Sequence, residues 1–286
     1  MASRGNINND YNNEEIHNDG FEDVIKFHPP IILPKPEKIL VIDGDSIAWI
    51  VSYTGKDEFG NKKPDYTEDE YYIAEGLADE MFMKIINSCE EYFEIKNTYL
   101  CLKSENSVNP RYNWLPSYKQ NRPSSLPIIS HISRYLKEKH SGLSPKIGET
   151  DDLLCELVNL TGDKAIICSI DKDIKQLCNK GNGNWMLDYK KWEWNFVTPQ
   201  EAKYLFHCQW ITGDPGDNII ALSPGVGIKF AQKVLRKDMT DLEMFFGVWQ
   251  AYMKAWKNDS QKAWENMQLA WKLLKLHTEQ EFKQLN

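Results

Sequence analysis

No stretch of the 286 residues comes near the roughly 18 consecutive apolar residues that a membrane-spanning helix needs. The first residues also lack the charged-then-apolar layout of a secretory signal. The sequence therefore predicts a cytoplasmic protein with no membrane partner. Among the six cysteines (Cys89, Cys101, Cys155, Cys168, Cys178, Cys208) there is no C-x-x-C pair, and no cysteine and histidine cluster has zinc spacing. Neither disulfides nor zinc are expected as organising devices, and thiols in runs such as "AIICSI" read as small buried hydrophobes. Basic residues are in deficit, 34 against 42 acidic ones, for a net charge of −8. That balance argues against a nucleic-acid coat protein, whose phosphate binding runs on Lys and Arg. It does not argue against an enzyme whose carboxylates hold cations. There is no internal repeat, and 41% hydrophobic residues suffice for one sizeable core or two modest ones.

Residues 1 to 36 are rich in Asn, Asp and Glu, with Pro29, Pro30, Pro34 and Pro36 just before the first strand. This composition predicts a disordered arm. The alternative is a partner-binding segment anchored by "VIKFHPPIIL". "KILVID" (38 to 43) is a short apolar run ending in an acid, the pattern of a buried parallel strand that delivers Asp43 to its carboxyl end. Ligands of open α/β sheets bind at that edge. Residues 67 to 93 have helical spacing and a Thr67/Glu70 capping box. "TYLCL" (98 to 102) reads as a second strand, and 103 to 126 as a long loop rich in rings and cations. Helices follow from about Pro127 to Lys139 and from "GETDD". "KAIICSI" is a strand ending in "DKD", "WEWNFVT" is an edge strand, and every segment from Pro199 onward reads helical. The expected fold is α/β, a mostly parallel central sheet flanked by helices. A catalytic domain spans 37 to 212 and a helical module 213 to 286.

The acids fall where elements begin or end. They are Asp43 after the first strand, Glu149, Asp151 and Asp152 at a helix start, Asp171 and Asp173 after a later strand, and Asp214 with Asp217 in a turn. At a strand end, residues i and i+2 project to one side, which would bring Asp171 and Asp173 together. On a helix, i and i+3 share a face, which would do the same for Glu149 and Asp152. Each group also has a plainer reading: helix capping for Glu149 to Asp152 and for Asp171, an ordinary turn for Asp43 and for Asp214 with Asp217. Clustered carboxylates suppress one another's ionisation unless cations bind. An all-oxygen donor set selects Mg²⁺ or Mn²⁺.

Two further patterns point to a polyanion. Arg111, Tyr112, Trp114, Tyr118, Lys119 and Arg122 interleave cations with rings, the composition that tracks and stacks a single strand. In "GDPGDNIIALSPGVGIKFAQK", Gly225 and Gly227 precede a helix bearing Lys229 and Lys233, an arrangement that lets backbone N–H groups meet a phosphate.

With "ILVIDGD", "YKQNRP", "GETDD", "SIDKD" and "GDPGDNI" followed by "GVGIKFA" in this order, residues 38 to 237 resemble the 5′-nuclease family: flap endonucleases, the 5′-exonuclease domain of bacterial DNA polymerase I, and phage 5′-exonucleases and RNases H. "LVIDGD", and "SVNPR" before "YKQNR", are most similar to the exonucleases of short-tailed phages. The resemblance implies a PIN/5′-nuclease-like fold with a helical arch and a helix-hairpin-helix-type module. It implies a two-metal site of Asp43, Glu149, Asp151, Asp152, Asp171, Asp173, Asp214 and Asp217, holding two Mg²⁺ or Mn²⁺. Lys119 and Arg122 would act at the scissile phosphate, so that Lys119, Arg122, Asp43 and Asp171 form the catalytic set. DNA contacts would come from Arg111, Tyr118, Lys119, Arg122, Gly225, Gly227, Lys229 and Lys233, with K⁺ at the hairpin turn. The substrate would be duplex DNA with a 5′ end, overhang or flap, or RNA–DNA hybrid. The protein would act as a monomer in phage-like replication or host DNA breakdown, with a replication partner on the N-terminal arm.

The family carries an aspartate just after the second strand, where this chain has Asn106 with Glu105 beside it. On the sequence, Glu105 substitutes, or one subsite is weakened and Asn106→Asp would raise turnover, or the residue was changed to disable the site. A different class, a non-catalytic DNA-binding replication scaffold, keeps the fold without the chemistry. A PIN-type ribonuclease would share the acids but not require the Gly225 to Lys229 turn. The tail carries Trp249, Trp256, Trp264 and Trp271 at near-helical intervals, which reads as a packed stripe.

Overall fold

The computed structural model describes residues 28–52, 66–122, 124–220, 222–223 and 225–285. Most of the proposed arm, residues 1–27, lies outside them. Residues 28–36 form no helix or strand, yet they are attached: the His28 ring stacks on Tyr92, and Lys35 Nζ donates to the Glu90 carbonyl at 2.6 Å.

Strand β1 (Glu37–Asp43) sits between β2 (Glu94–Cys101) and β3 (Ala165–Cys168). Beyond β3 come β4 (Asn184–Asp188) and β5 (Glu193–Val197), giving the order β2-β1-β3-β4-β5. The first four strands are parallel, and β5 closes the edge antiparallel to β4. Side chains of β1 alternate between two buried faces. Leu40 and Ile42 meet α1 (Gly44–Ser52), α2 (Glu68–Glu90) and α4 (Pro127–Lys139) through Ile47, Ala78 and Ile132. Val41 meets α5 (Thr150–Thr161) through Leu154 and Val158. Burial on both faces explains why β1 reads as an unbroken apolar run.

The Thr67/Glu70 capping box forms as expected, and α4 keeps its expected bounds. Helix α1 and strand β4 escaped the sequence reading. Helix α1 opens directly at Gly44, so the first strand runs into a helix with no turn composition to mark the change. Strand β4 is only five residues of mixed polarity, "NWMLD", and its pairing with β5 defines it better than its own pattern does.

A third core is helical. Helices α6 (Pro199–Thr212), α8 (Asp241–Ala255) and α9 (Ser260–Leu274) pack through Trp210, Met244, Val248 and Met267. The tryptophan stripe mostly belongs here, as expected: Trp249, Trp256 and Trp271 are partly buried, and Trp264 is exposed with its ring edge-on to Trp249. Short helices α7 (Ile228–Val234) and α10 (Glu279–Leu285) complete the region. The expected helical arch is not there: among its described residues the loop from 103 to 126 holds one short helix, α3 (Arg111–Trp114), because its chain turns tightly around Tyr118 and sends that ring into this third core. No helix among the described residues is long and apolar enough to cross a membrane.

Candidate active site

The carboxyl ends of β1 and β3 and the start of α5 surround a polar cleft of about 510 Å³. Its wall includes Asp43, Asp45, Glu149, Asp151 and Asp171, together with Lys103, Lys119 and Arg122. A larger cavity of about 770 Å³ lies among α5, α6, α8 and α9, and none of the predicted site residues lines it. The predicted acids and cations that share a cavity share the smaller cleft.

Asp43 is buried at the end of β1, where Ser46 and Ser169 hydroxyls donate to its carboxylate. Burial, and then the neighbouring charge of Asp45, push its pKa up to about 6 against those hydrogen bonds. Asp151, in the first turn of α5, is raised well above the carboxylate range by burial and by the charges of Asp171, Asp43 and Glu149. Asp171 is exposed at the cleft and caps the 3-10 helix Lys172–Cys178 by accepting the Asp173 N–H at 2.8 Å. Asp173 stands outside the cleft wall, pushed up to about 7 by burial and the charges of Asp171 and Asp214. Asp214 accepts the Gly216 N–H, the turn contact of the plainer reading. The acids therefore form two groups linked through Asp171.

The i and i+2 argument for Asp171 and Asp173 fails in its detail, because β3 ends at Cys168 and the pair lies in a helix cap. The i and i+3 argument for Glu149 and Asp152 fails as well. The two form a reciprocal capping box. Asp152, only 2% exposed, turns away from the cleft into a two-pronged ion pair with Arg111, NH1 to Oδ2 at 2.6 Å and NH2 to Oδ1 at 2.9 Å. It also accepts backbone N–H groups from Glu149 and His277. Asp152 is removed from the metal set because its acceptor sites are taken.

Arg111 is likewise removed from the DNA-contacting set. It is 1% exposed and donates further to the Leu273 and Lys275 carbonyls at 3.0 and 2.8 Å. Tyr118 is no stacking platform either, since its ring is buried and its hydroxyl lies 3.1 Å from Glu149 and 3.2 Å from Asp217. The rings that do stand at the cleft are Tyr112, half exposed, and Trp49 of α1, 42% exposed, which the sequence reading passed over. Trp49 lies six residues after Asp43, less than two helical turns along α1, a spacing that could have marked it.

Lys119 and Arg122 do reach the acids. Lys119 Nζ lies 2.5 Å from Glu149 and 3.6 Å from Asp217, and Arg122 pairs with Asp217. Lys119 holds a left-handed backbone (φ +56°), fixed by its N–H donating to the Asp217 carbonyl at 2.9 Å. Such strain in a non-glycine residue persists only where its surroundings enforce it. Of the hairpin module, Gly225 has φ +81°, Gly227 caps α7, and Gly225, Gly227, Lys229 and Lys233 are exposed. Glu105 and Asn106 are exposed on a turn outside the cleft wall, and Glu105 reaches Arg134 instead. Neither occupies the place expected of the aspartate after the second strand.

The donor chemistry fits hard divalent cations: the carboxylates are oxygen ligands, and burial, then their mutual charge, raises the pKa values of Asp43, Asp151 and Asp173. Among the described residues, no three His, Cys, Asp or Glu side chains already converge into a closed metal site.

No family model matches the sequence, and no curated protein matches it either. Solved structures do. The chain is similar to the T5 D15 protein co-crystallised with metal ions (TM-score 0.57, 18% identity, 83% of this chain and 89% of that one). It is similar to T5 5′-exonuclease with bound zinc (TM-score 0.57, 19% identity, 83% and 90%). A third match is a bacteriophage T5 D15 flap endonuclease variant in a pseudo-enzyme-product complex with DNA and metal ions (TM-score 0.55, 18% identity, 83% and 89%). The fold is that of the 5′-nucleases, a PIN-like α/β sheet with helical additions.

Proposed function

We propose that this chain, built on the 5′-nuclease fold, is a divalent-metal-dependent hydrolase that cuts phosphodiesters near the 5′ ends of duplex DNA or RNA–DNA hybrid, as exonuclease and flap endonuclease. The observation that carries the reading is the cleft itself: Asp43, Glu149, Asp151 and Asp171 line one wall system with Lys119 and Arg122 at the strand ends of the sheet. Asp43, Glu149, Asp151 and Asp171, with Asp173, Asp214 and Asp217 beside them, would hold the cations. When bound, Mg²⁺ or Mn²⁺ would supply an activated water and neutralise phosphate charge.

The chain's own residues do the rest. Lys119 and Arg122 exchange their carboxylate partners for the scissile phosphate and stabilise its developing charge. Tyr112, and Trp49 with Lys190 Nζ 5.2 Å from its ring centroid, set rings and a cation beside that phosphate, the composition that stacks bases. The exposed turn at Gly225 and Gly227, with Lys229 and Lys233, receives a duplex phosphate and K⁺, which places the duplex relative to the cleft. A role in phage-like replication or host DNA breakdown is the setting this activity suits.

Digestion of a duplex labelled at either the 5′ or the 3′ end, with Mg²⁺, Mn²⁺ or chelator, tests the proposal. Early release of short 5′-labelled products that chelation abolishes is the expected result. Binding to 5′-overhang DNA with no cleavage in either metal would overturn it and favour a scaffold.

A further inference from the structure

The sheet edge supplies the cleft unevenly. Strand β1 ends in Asp43, and the turn after β3 brings Asp171, but β2, beside β1, brings no acid of its own. The residues following β2 into the cleft wall are Lys103 and Ser104, neither of which carries negative charge. The carboxylate that stands at the end of β2 comes from α1. Asp45 Oδ1 accepts the Lys103 N–H at 3.1 Å and the Ser133 hydroxyl at 3.4 Å, and its Oδ2 accepts from Thr150. Asp45 is thereby pinned at once to the end of β2, to α4 and to the first turn of α5, and it lines the cleft with Asp43, Glu149, Asp151 and Asp171.

A carboxylate offers about four acceptor sites. The protein fills three of Asp45's, and one on Oδ2 remains. Ser46, Ser169 and Thr150, the hydroxyls around Asp43 and Asp45, orient both carboxylates without adding positive charge. Lys103, the cation next to Asp45, sends its Nζ to Ser130 at 3.1 Å instead of to a carboxylate.

We infer that Asp45 is the carboxylate through which the β2 side of the cleft holds a divalent cation, in place of an acid at position 104. The inference rests on the reading of the cleft as a metal site, but not on cleavage. A purely structural Asp45 would tie α1 to β2 and α5, and a carboxylate at position 104 would not replace it.

The test is Mn²⁺ binding to the full chain without nucleic acid, followed by the electron paramagnetic resonance of free Mn²⁺, for the unchanged protein, Asp45→Ser, and Asp45→Ser combined with Ser104→Asp. Circular dichroism in chelator checks that each variant folds, and Asp45→Asn replaces Asp45→Ser if the latter does not. Loss of Asp45 is expected to weaken Mn²⁺ binding by at least the roughly 10-fold that losing even an outer-shell partner costs. Adding the carboxylate at 104 is expected to recover most of that loss. Unchanged affinity in the single variant, loss without recovery in the double variant, or no Mn²⁺ binding by the unchanged protein would each overturn the inference. Binding with the expected dependence in a protein that cuts no DNA would uphold the ligand and refute the nuclease.

Discussion

Arg111 and Arg122 leave the same loop with opposite fates. Arg111 is sealed against Asp152, whereas Arg122 pairs with Asp217 at the cleft and is more than half exposed. Removing one partner of a buried pair strands the other charge, so Arg111→Ala should cost about 3 to 5 kcal/mol, measured as a lowered urea midpoint. Arg122→Ala should cost less than about 1 kcal/mol by the same measurement, since its guanidinium is more than half exposed and Asp217 keeps Tyr118 and Lys119 as partners. Its effect belongs to turnover instead, with a fall on the order of 100-fold if the guanidinium meets the reacting phosphate. Asp171→Ala should abolish cleavage while leaving the urea midpoint nearly unchanged, because this carboxylate is exposed and only caps a short 3-10 helix. Full activity in that variant would remove Asp171 from the mechanism. Sequence spacing put Glu149 and Asp152 on one face toward one site, whereas they form a capping box and Asp152 turns to Arg111, a residue on another element.

At the scale of elements, the turn before α7 separates two glycines that looked equivalent. Gly225 holds a left-handed backbone with open space around it, so a side chain there pays only for its φ, about 1 to 2 kcal/mol. Gly227 is extended at the helix N-cap (φ −118°), where serine is favoured. Fluorescence anisotropy with labelled duplex should therefore show several-fold weaker binding for Gly225→Ala, near tenfold per 1.4 kcal/mol transmitted, and unchanged binding for Gly227→Ser. The segment linking α9 to α10 is pinned from α5, by Asp152 accepting the His277 N–H at 2.8 Å. The His277 ring is fully buried, and burial, then the Arg111 charge, lower its pKa from 6.5 to about 4. The unfolded chain binds the extra proton between those values and the folded chain does not. This stability is therefore complete above about pH 6.5 and is lost as pH falls toward 4. His277→Gln should lose less urea stability between pH 7.5 and 4.5 than the unchanged protein, a difference of up to about 3 kcal/mol.

For the whole molecule, the site is where three cores meet. Asp43 ends a strand buried between two of them, and Tyr118, bridging Glu149 and Asp217, is rooted in the third. Cations that bind only this assembled cleft stabilise the fold by mass action, about 2.7 kcal/mol at a hundredfold excess over Kd. Saturating Mg²⁺ should raise the melting temperature by several degrees over chelator, and Asp171→Ala should shrink the shift. An equal shift in the variant would place the ion elsewhere.

The sequence by itself determined what is local: the apolar run of β1 with its terminal acid, the Thr67/Glu70 cap, the bounds of α4, and the fact that each acid lies where an element begins or ends. Period and capping are short-range effects, so one chain suffices to read them. Only the tertiary structure decided which charges are spent inside and which face the cleft. Arg111 finds Asp152 across 41 residues and the Leu273 carbonyl across 162, and Asp45 meets the end of β2 across 58. Burial removes the competing solvent only once distant elements have packed, so partners of this kind leave no trace in spacing.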